Sequence, residues 1–293
     1  MMALLYLAPA ALLLIGMMGY PLYQLVQISL YEYGQSQASG GAPLEFLGAG
    51  NYLALFGDAG FWTILLQTCA FAALCVLGSL AVGIGLAVLA TRVAPLPRML
   101  LFLAAIGAWA TPAVAGSTVW LFLFDQDFGL INEALTGVGI SGAEGMSWTY
   151  DKYLAFGLVA AEVIWCSFPF VLVTTYAGLV GIPGEVVEAA ALDGASAWRT
   201  ARSVLLPMLR PVLVVATIQS IIWDFKVFTQ IYVMTNGGGV AGQNMVLNVY
   251  AYQEAFAASN YGLGSAIGVV MTVLLLLITL LHLRAQRGNE VLS

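Results

Sequence analysis

Residues 188–211, EAAALDGASAWRTARSVLLPMLRP, interrupt a chain that otherwise reads like lipid. The stretch carries Glu188, Asp193, Arg199, Arg202 and Arg210, more charge than any other part of the sequence. It separates two apolar runs, each long enough to cross a bilayer. Just upstream, Pro183, Gly184 and Glu185 read as a helix start, with acidic residues placed favourably against the helix dipole. Val186–Leu192 is rich in Ala and Leu and continues that helix. Asp193-Gly194 ends it, because glycine takes the left-handed conformation that closes a helix without steric cost. Ser196 is positioned to cap a second short helix carrying Arg199 and Arg202, and Pro207 and Pro211 mark the approach to the next apolar run. The island is expected to stand off the membrane as helix, glycine turn and helix, with Ala189, Ala190 and Ala191 giving the first helix a smooth side for a partner's groove.

Composition sets the surroundings. Of 293 residues, 61% are hydrophobic and 8% charged, against roughly 45–50% and 25% in a soluble domain. The expected fold class is all-α, a polytopic membrane protein. Runs at roughly 3–30, 61–90, 99–124, 153–180, 207–235 and 262–284 each supply the roughly 20 apolar residues that a span needs, giving six transmembrane helices. The first run is too long for the apolar part of a signal peptide and lacks a basic start, so it is expected to be retained. Pro9 and Pro21 within it are tolerable where neighbouring helices satisfy the freed backbone groups. Cys69, Cys75 and Cys166 lie in apolar runs and fit no C-x-x-C pattern, so they read as small buried hydrophobes. The acidic residues are scattered, and no basic footprint for nucleic acid exists.

Basic residues orient the chain, since Lys and Arg near helix ends stay in the cytoplasm. With both termini cytoplasmic, the inner connections hold Arg92, Arg98, Arg199, Arg202, Arg210, Arg284 and Arg287. The outer loops hold Lys152, and Lys226 lies within a helix. The charged island is therefore cytoplasmic. Glu32, Glu45, Asp58, Asp125, Asp127, Glu133, Glu144, Asp151 and Glu254 fall outside.

The pattern E-A-A, three residues, G, and then L-P with a further P resembles the cytoplasmic loop of binding-protein-dependent ABC importer permeases, on Glu188, Ala189, Ala190, Gly194, Leu206 and Pro207. FLGAGNYLALFGDAGFW with QTCAF after it, TPAVAGSTVWLFLFDQDFGLINEAL, IWDFKVFTQIYVMTNGGG, VYAYQEAF and YGLGSAIGVV are similar to successive landmarks of the sugar-type, maltose-like branch of that family, so the resemblance covers nearly the whole chain. Gln67-Thr68 departs from the family's more frequent Asn-Thr and keeps a polar cap at the outer end of a helix. The resemblance implies the type I importer permease fold, a single transmembrane permease domain over 1–293 with the coupling loop at 181–206. It also implies that Glu188, Ala189, Ala190, Asp193 and Gly194 couple the chain to its ATPases. The implied partners are a second homologous permease, two ABC ATPase subunits that bind ATP and Mg, and an extracellular or periplasmic sugar-binding protein. This chain itself then needs no cofactor or metal and catalyses nothing, and it resides in the plasma (inner) membrane of a prokaryote.

Polar groups at membrane depth are costly and face a cavity or a partner helix. Gln219, Trp223, Lys226 and Gln230 recur at intervals of four, three and four, which places them on one face of a helix. Amide and ammonium groups can bond sugar hydroxyls, and an indole can stack on a pyranose ring. Asp224 is expected on another face, toward the second permease. Glu162 and Trp165 share a face with Pro169 in the fourth run, and Trp109, Gly116 and Trp120 share one in the third. Each also has a bland reading, since an intramembrane Glu can pair helices and Trp populates the interfacial belt. Ser79 and Gly83 resemble a small-residue packing seam.

Other patterns carry no chemistry. GVGISG, residues 137–142, has the glycine spacing of a dinucleotide loop but no strand before it. No phosphate-binding G-x-x-x-x-G-K-[ST] occurs, and the sole histidine, His282, has no cluster around it. NGGG, residues 236–239, reads as an outer loop within reach of a delivering protein. The function expected is the permease subunit of an ATP-driven importer of a sugar or short oligosaccharide such as chitobiose or cellobiose. The alternatives are a self-sufficient secondary transporter, whose repeated halves are not evident, and an intramembrane enzyme, whose clustered catalytic groups are missing from the sequence.

Overall fold

The computed structural model describes residues 2–290, whose regular structure is helical apart from one antiparallel ribbon, Tyr31–Glu32 against Glu45–Phe46, and an isolated bridge between Gly34 and Asn260, with turns and loops joining the helices. Five helices are long and apolar enough to cross a membrane: Tyr6–Ser29, Ala59–Arg92, Lys152–Val180, Trp198–Met234 and Tyr261–Arg284. Pro95–Ala110 and Ala113–Leu123 make a sixth crossing, third in chain order, if the bent pair is counted as one span.

That third span is not the continuous 99–124 helix expected, because its halves are bent by 106°. The cause is Thr111-Pro112. A residue before proline is pushed out of the helical region, and Thr111 is extended at ψ 124°. Its hydroxyl donates to the Gly107 carbonyl at 2.8 Å, so the first half closes on itself before the turn.

The chain forms two compact units. In the unit made of residues up to Thr68 and from Met245 onward, Tyr20–Ser29 packs along the last helix, Tyr261–Glu290. Asn51 closes the end of the first span by donating its Nδ2 to the Ser29 and Tyr31 carbonyls at 2.9 and 3.0 Å. Gly262 fits beside this knot because a Cβ there would come within 2.6 Å of the Tyr31 carbonyl oxygen. Thr68 sits inside a helix and is not the end cap expected; its hydroxyl accepts the Leu247 N–H at 3.0 Å and so caps the helix Leu247–Tyr252.

In the unit Cys69–Asn244 the fourth span, Lys152–Val180, is the central post. It begins at Asp151, whose Oδ1 accepts from the Tyr153 and Leu154 N–H groups at 2.9 and 3.0 Å, an N-cap. Pro95–Ala110 and Leu206–Phe225 both pack against it. The second span contributes the small-residue seam expected of it: Ser79 is fully buried, a Cβ on Gly78 would run into Ile164, and one on Gly83 would lie 2.5 Å from Val171. After the fifth span, Asn236, Gly237, Gly238 and Gly239 all take positive φ. That loop is fastened by Gln243 and Asn244, whose side-chain amides donate to the Tyr150 and Lys152 carbonyls, both at 2.8 Å.

Candidate functional site

The fifth span does not hold Gln219, Trp223, Lys226 and Gln230 on one unbroken helical face. Its helix Leu206–Phe225 stops, Phe228 leaves helical geometry at φ −124° and ψ −57°, and a new helix runs over Thr229–Met234. The break turns the backbone around a cavity of about 330 Å³, and it is there that Trp223, Lys226 and Gln230 meet. Trp109, Cys166, Ser167, Asp224, Phe228 and Thr229 complete its polar and aromatic lining, whereas Gln219 is absent from it. Such a volume suits a small polar ligand. Lys226 offers three donors, Gln230 a donor and an acceptor, and Trp109 and Trp223 present apolar planes. The Trp223 ring is steadied edge-on by Phe170 at 5.1 Å.

Asp224 is not turned away as expected. It is 2% exposed, and its Oδ1 accepts a hydrogen bond from Ser167 at 3.1 Å, which binds the fifth span to the fourth. Its Oδ2 has no partner among the described residues. Spacing set it on another face because it is one residue from Trp223, yet both residues line the cavity at the end of Leu206–Phe225.

Glu162 and Trp165 stand apart from this cavity. Glu162 is fully buried, and Ser117 Oγ lies 2.9 and 3.0 Å from its two carboxylate oxygens as their donor. Gly116 permits the approach, since a Cβ there would sit 3.1 Å from Oε1. Trp165 packs against Trp120, which stacks on Phe124 at 5.6 Å. Because the third span is broken between them, Trp109 belongs to the cavity while Gly116 and Trp120 belong to the Glu162 cluster.

The charged island forms the helix Gly184–Leu192. Its end is a Schellman turn: Gly194, at φ +74°, donates to the Ala191 carbonyl, and the Ala195 N–H reaches the Ala190 carbonyl, both at 3.0 Å. Glu188, Ala189, Asp193 and Gly194 are exposed and Ala190 is half-buried. The second arm is not a separate stand-off helix. Ala197–Thr200 passes through a π turn, Ala201–Leu205, straight into Leu206–Phe225. Pro207 removes a backbone donor there, which the wider turn accommodates. Leu192 and Trp198, 89% and 72% exposed, flank the glycine turn. Both are legible in the sequence as large apolar residues within the charged stretch.

Residues 79–288 match the family model described as binding-protein-dependent transport system inner membrane component. The chain is 37% identical to the diacetylchitobiose uptake system permease protein of Streptomyces coelicolor over 98% of its own length and 87% of the relative's. It is 34% identical to the sulfoquinovosyl glycerol transport system permease protein of Agrobacterium fabrum over 99% and 92%. Its fold is similar to a chain in the crystal structure of a bacterial ABC transporter that imports the acidic polysaccharide alginate, with a TM-score of 0.83, 18% identity, and coverage of 98% of this chain and 95% of that one.

Proposed function

Because the chain belongs to the family of binding-protein-dependent inner membrane transport components, we propose that it is one permease subunit of an ATP-driven sugar importer, with a short oligosaccharide or glycoside as its cargo. The observation that carries this reading is that one helical run connects the two working parts. The exposed glycine turn stands at its start, and the cavity lies at its break after Phe225. The 20 residues of Leu206–Phe225 make a rod of about 30 Å at 1.5 Å per residue. A push on the loop is delivered along it to Trp223, Lys226 and Gln230.

In this reading Glu188, Ala189, Ala190, Asp193 and Gly194 dock into an ATPase subunit that binds ATP and Mg. A second permease completes the pathway, and a sugar-binding protein delivers cargo from outside. The charged loop and both termini face the cytoplasm. The chain performs no bond chemistry; its work is alternating access around the sugar. One cationic side chain in the cavity, Lys226, suits hydroxyls better than a phosphate ester.

The test is Gly194→Val. A Cβ at Gly194 meets nothing within 4 Å, so the variant strains the turn without a clash in the core. The expected outcome is a chain that reaches the membrane in normal amounts, no longer co-purifies with an ATPase and no longer takes up sugar. Uptake at the wild-type rate by Gly194→Val would remove the coupling role of the loop. Recovery of the wild-type chain with neither an ATPase nor a second permease would remove the importer reading.

A further inference from the structure

A second cavity, of about 490 Å³, opens beneath the charged loop, between the ends of the second and fourth spans and the start of the fifth. Its lining changes character along its length. Ile84, Val88 and Leu209 make one part aliphatic, and Thr91, Arg92 and Thr200 bring hydroxyls and a guanidinium to another. From Ile84 to Arg92 the second-span helix advances about 12 Å, so aliphatic wall and cation are separated along the membrane normal. Arg92 is exposed and is the one charged residue of this lining. An aliphatic slot with a lone arginine at its mouth, at the end of a membrane span, has the polarity order of a phospholipid: acyl chain deep, phosphate at the rim.

We propose that this slot holds one anionic phospholipid of the cytoplasmic leaflet, with its phosphate on Arg92 and the Thr200 hydroxyl and an acyl chain along Ile84, Val88 and Leu209. Basic pockets between spans on the cytoplasmic side bind anionic headgroups for this reason. The placement of that rim in the cytoplasmic leaflet rests on the orientation adopted under the proposed function. Two further features fit the occupant. The π turn Ala201–Leu205 gives the wall Ala201 and Leu205, and π turns recur at functional sites. Leu179 and Ile182 at the end of the fourth span and Val187 and Ala191 of the loop helix add further wall, so the lipid is a structural layer between the loop and the spans. An empty slot would let the loop helix tilt without moving the fifth span; a filled one transmits the push.

The experiment uses the intact chain, with whatever subunits accompany it, purified in mild detergent, stripped of lipid and incubated with equal phosphatidylglycerol and phosphatidylcholine before native mass spectrometry. The wild type is expected to retain phosphatidylglycerol in about fivefold excess, the worth of one arginine at an anionic surface. Arg92→Gln, a change at the exposed rim, removes the preference. Val88→Trp, which fills the aliphatic part, removes the retained lipid altogether. An unchanged preference in Arg92→Gln, or equal retention of both lipids by the wild type, overturns the proposal, and Arg92→Gln decides the matter alone where Val88→Trp fails to fold. Recovery of an ATPase from the same samples is scored separately, so loss of the importer reading and loss of the lipid site are distinguishable.

Discussion

Ser167 Oγ donates to Asp224 Oδ1 across 3.1 Å, and this bond joins the fourth span to the fifth in the last turn before the fifth span's helix stops. Asp224 is 2% exposed and its other carboxylate oxygen lacks a partner among the described residues. Ser167→Ala therefore leaves a buried carboxylate without its donor, at a cost of about 1–3 kcal/mol. Asp224→Asn keeps an acceptor opposite Ser167 and removes the charge, so it costs less. Thermal unfolding of the purified variants should rank wild type above Asp224→Asn and Asp224→Asn above Ser167→Ala. The reverse order of the two variants would show that the hydroxyl is not what supports the carboxylate.

Glu162 is placed for a different task from Trp223 and Lys226. Its carboxylate is spent on Ser117 and it does not border the cavity. Glu162→Gln keeps an acceptor for Ser117, so sugar uptake should retain its KM within about twofold, whereas Glu162→Leu strands the hydroxyl and lowers the amount of folded protein. A tenfold rise in KM for Glu162→Gln at normal expression would return this residue to the substrate path.

The loop and the seam were readable because their signals are local. Asp193-Gly194 can end a helix by itself, and Ser79 and Gly83, four residues apart, put two small residues on one helical face. The bend at Thr111-Pro112 had a local signal as well, yet an apolar run on both sides concealed it. The break after Phe225 had none, since Lys226, Val227 and Phe228 include no glycine or proline. Extending a helical period across it joined Lys226 and Gln230 to the face of Gln219 and Trp223, whereas Gln219 lies a turn back in Leu206–Phe225 and does not reach the cavity. The bond between Glu162 and Ser117 was not legible for another reason: the two lie 45 residues apart in sequence, and no spacing rule reports such a contact.

Two glycines of the second span give a paired test of the seam. A Cβ on Gly83 would come within 2.5 Å of Val171 Cβ and 2.9 Å of the Phe168 carbonyl oxygen, while one on Gly85 meets nothing within 4 Å. Gly83→Ala forces the second and fourth spans apart and should cost about 1–3 kcal/mol. Gly85→Ala gains helix propensity at no steric cost and should be neutral or stabilising. Melting temperatures of the two variants in one detergent measure the difference, and equal values would mean that the helices do not approach as closely as these positions require.

Glu254, between the fifth and sixth spans, has its carboxyl pushed above the ordinary range, first by burial and then by the negative charge of Asp58. The folded state therefore favours the neutral acid. The resulting stability is present in full below the ordinary glutamate pKa, about 4.3, and is lost as the pH rises through the higher folded value. Glu254→Gln stays neutral at every pH. It should melt above the wild type at pH 7, with the gap closing toward pH 4. Asp58→Asn removes only the second cause and should recover the smaller share of that gap. Melting curves across this range separate the causes: if Asp58→Asn recovered the whole difference, the charge of Asp58 and not burial would set the protonation of Glu254.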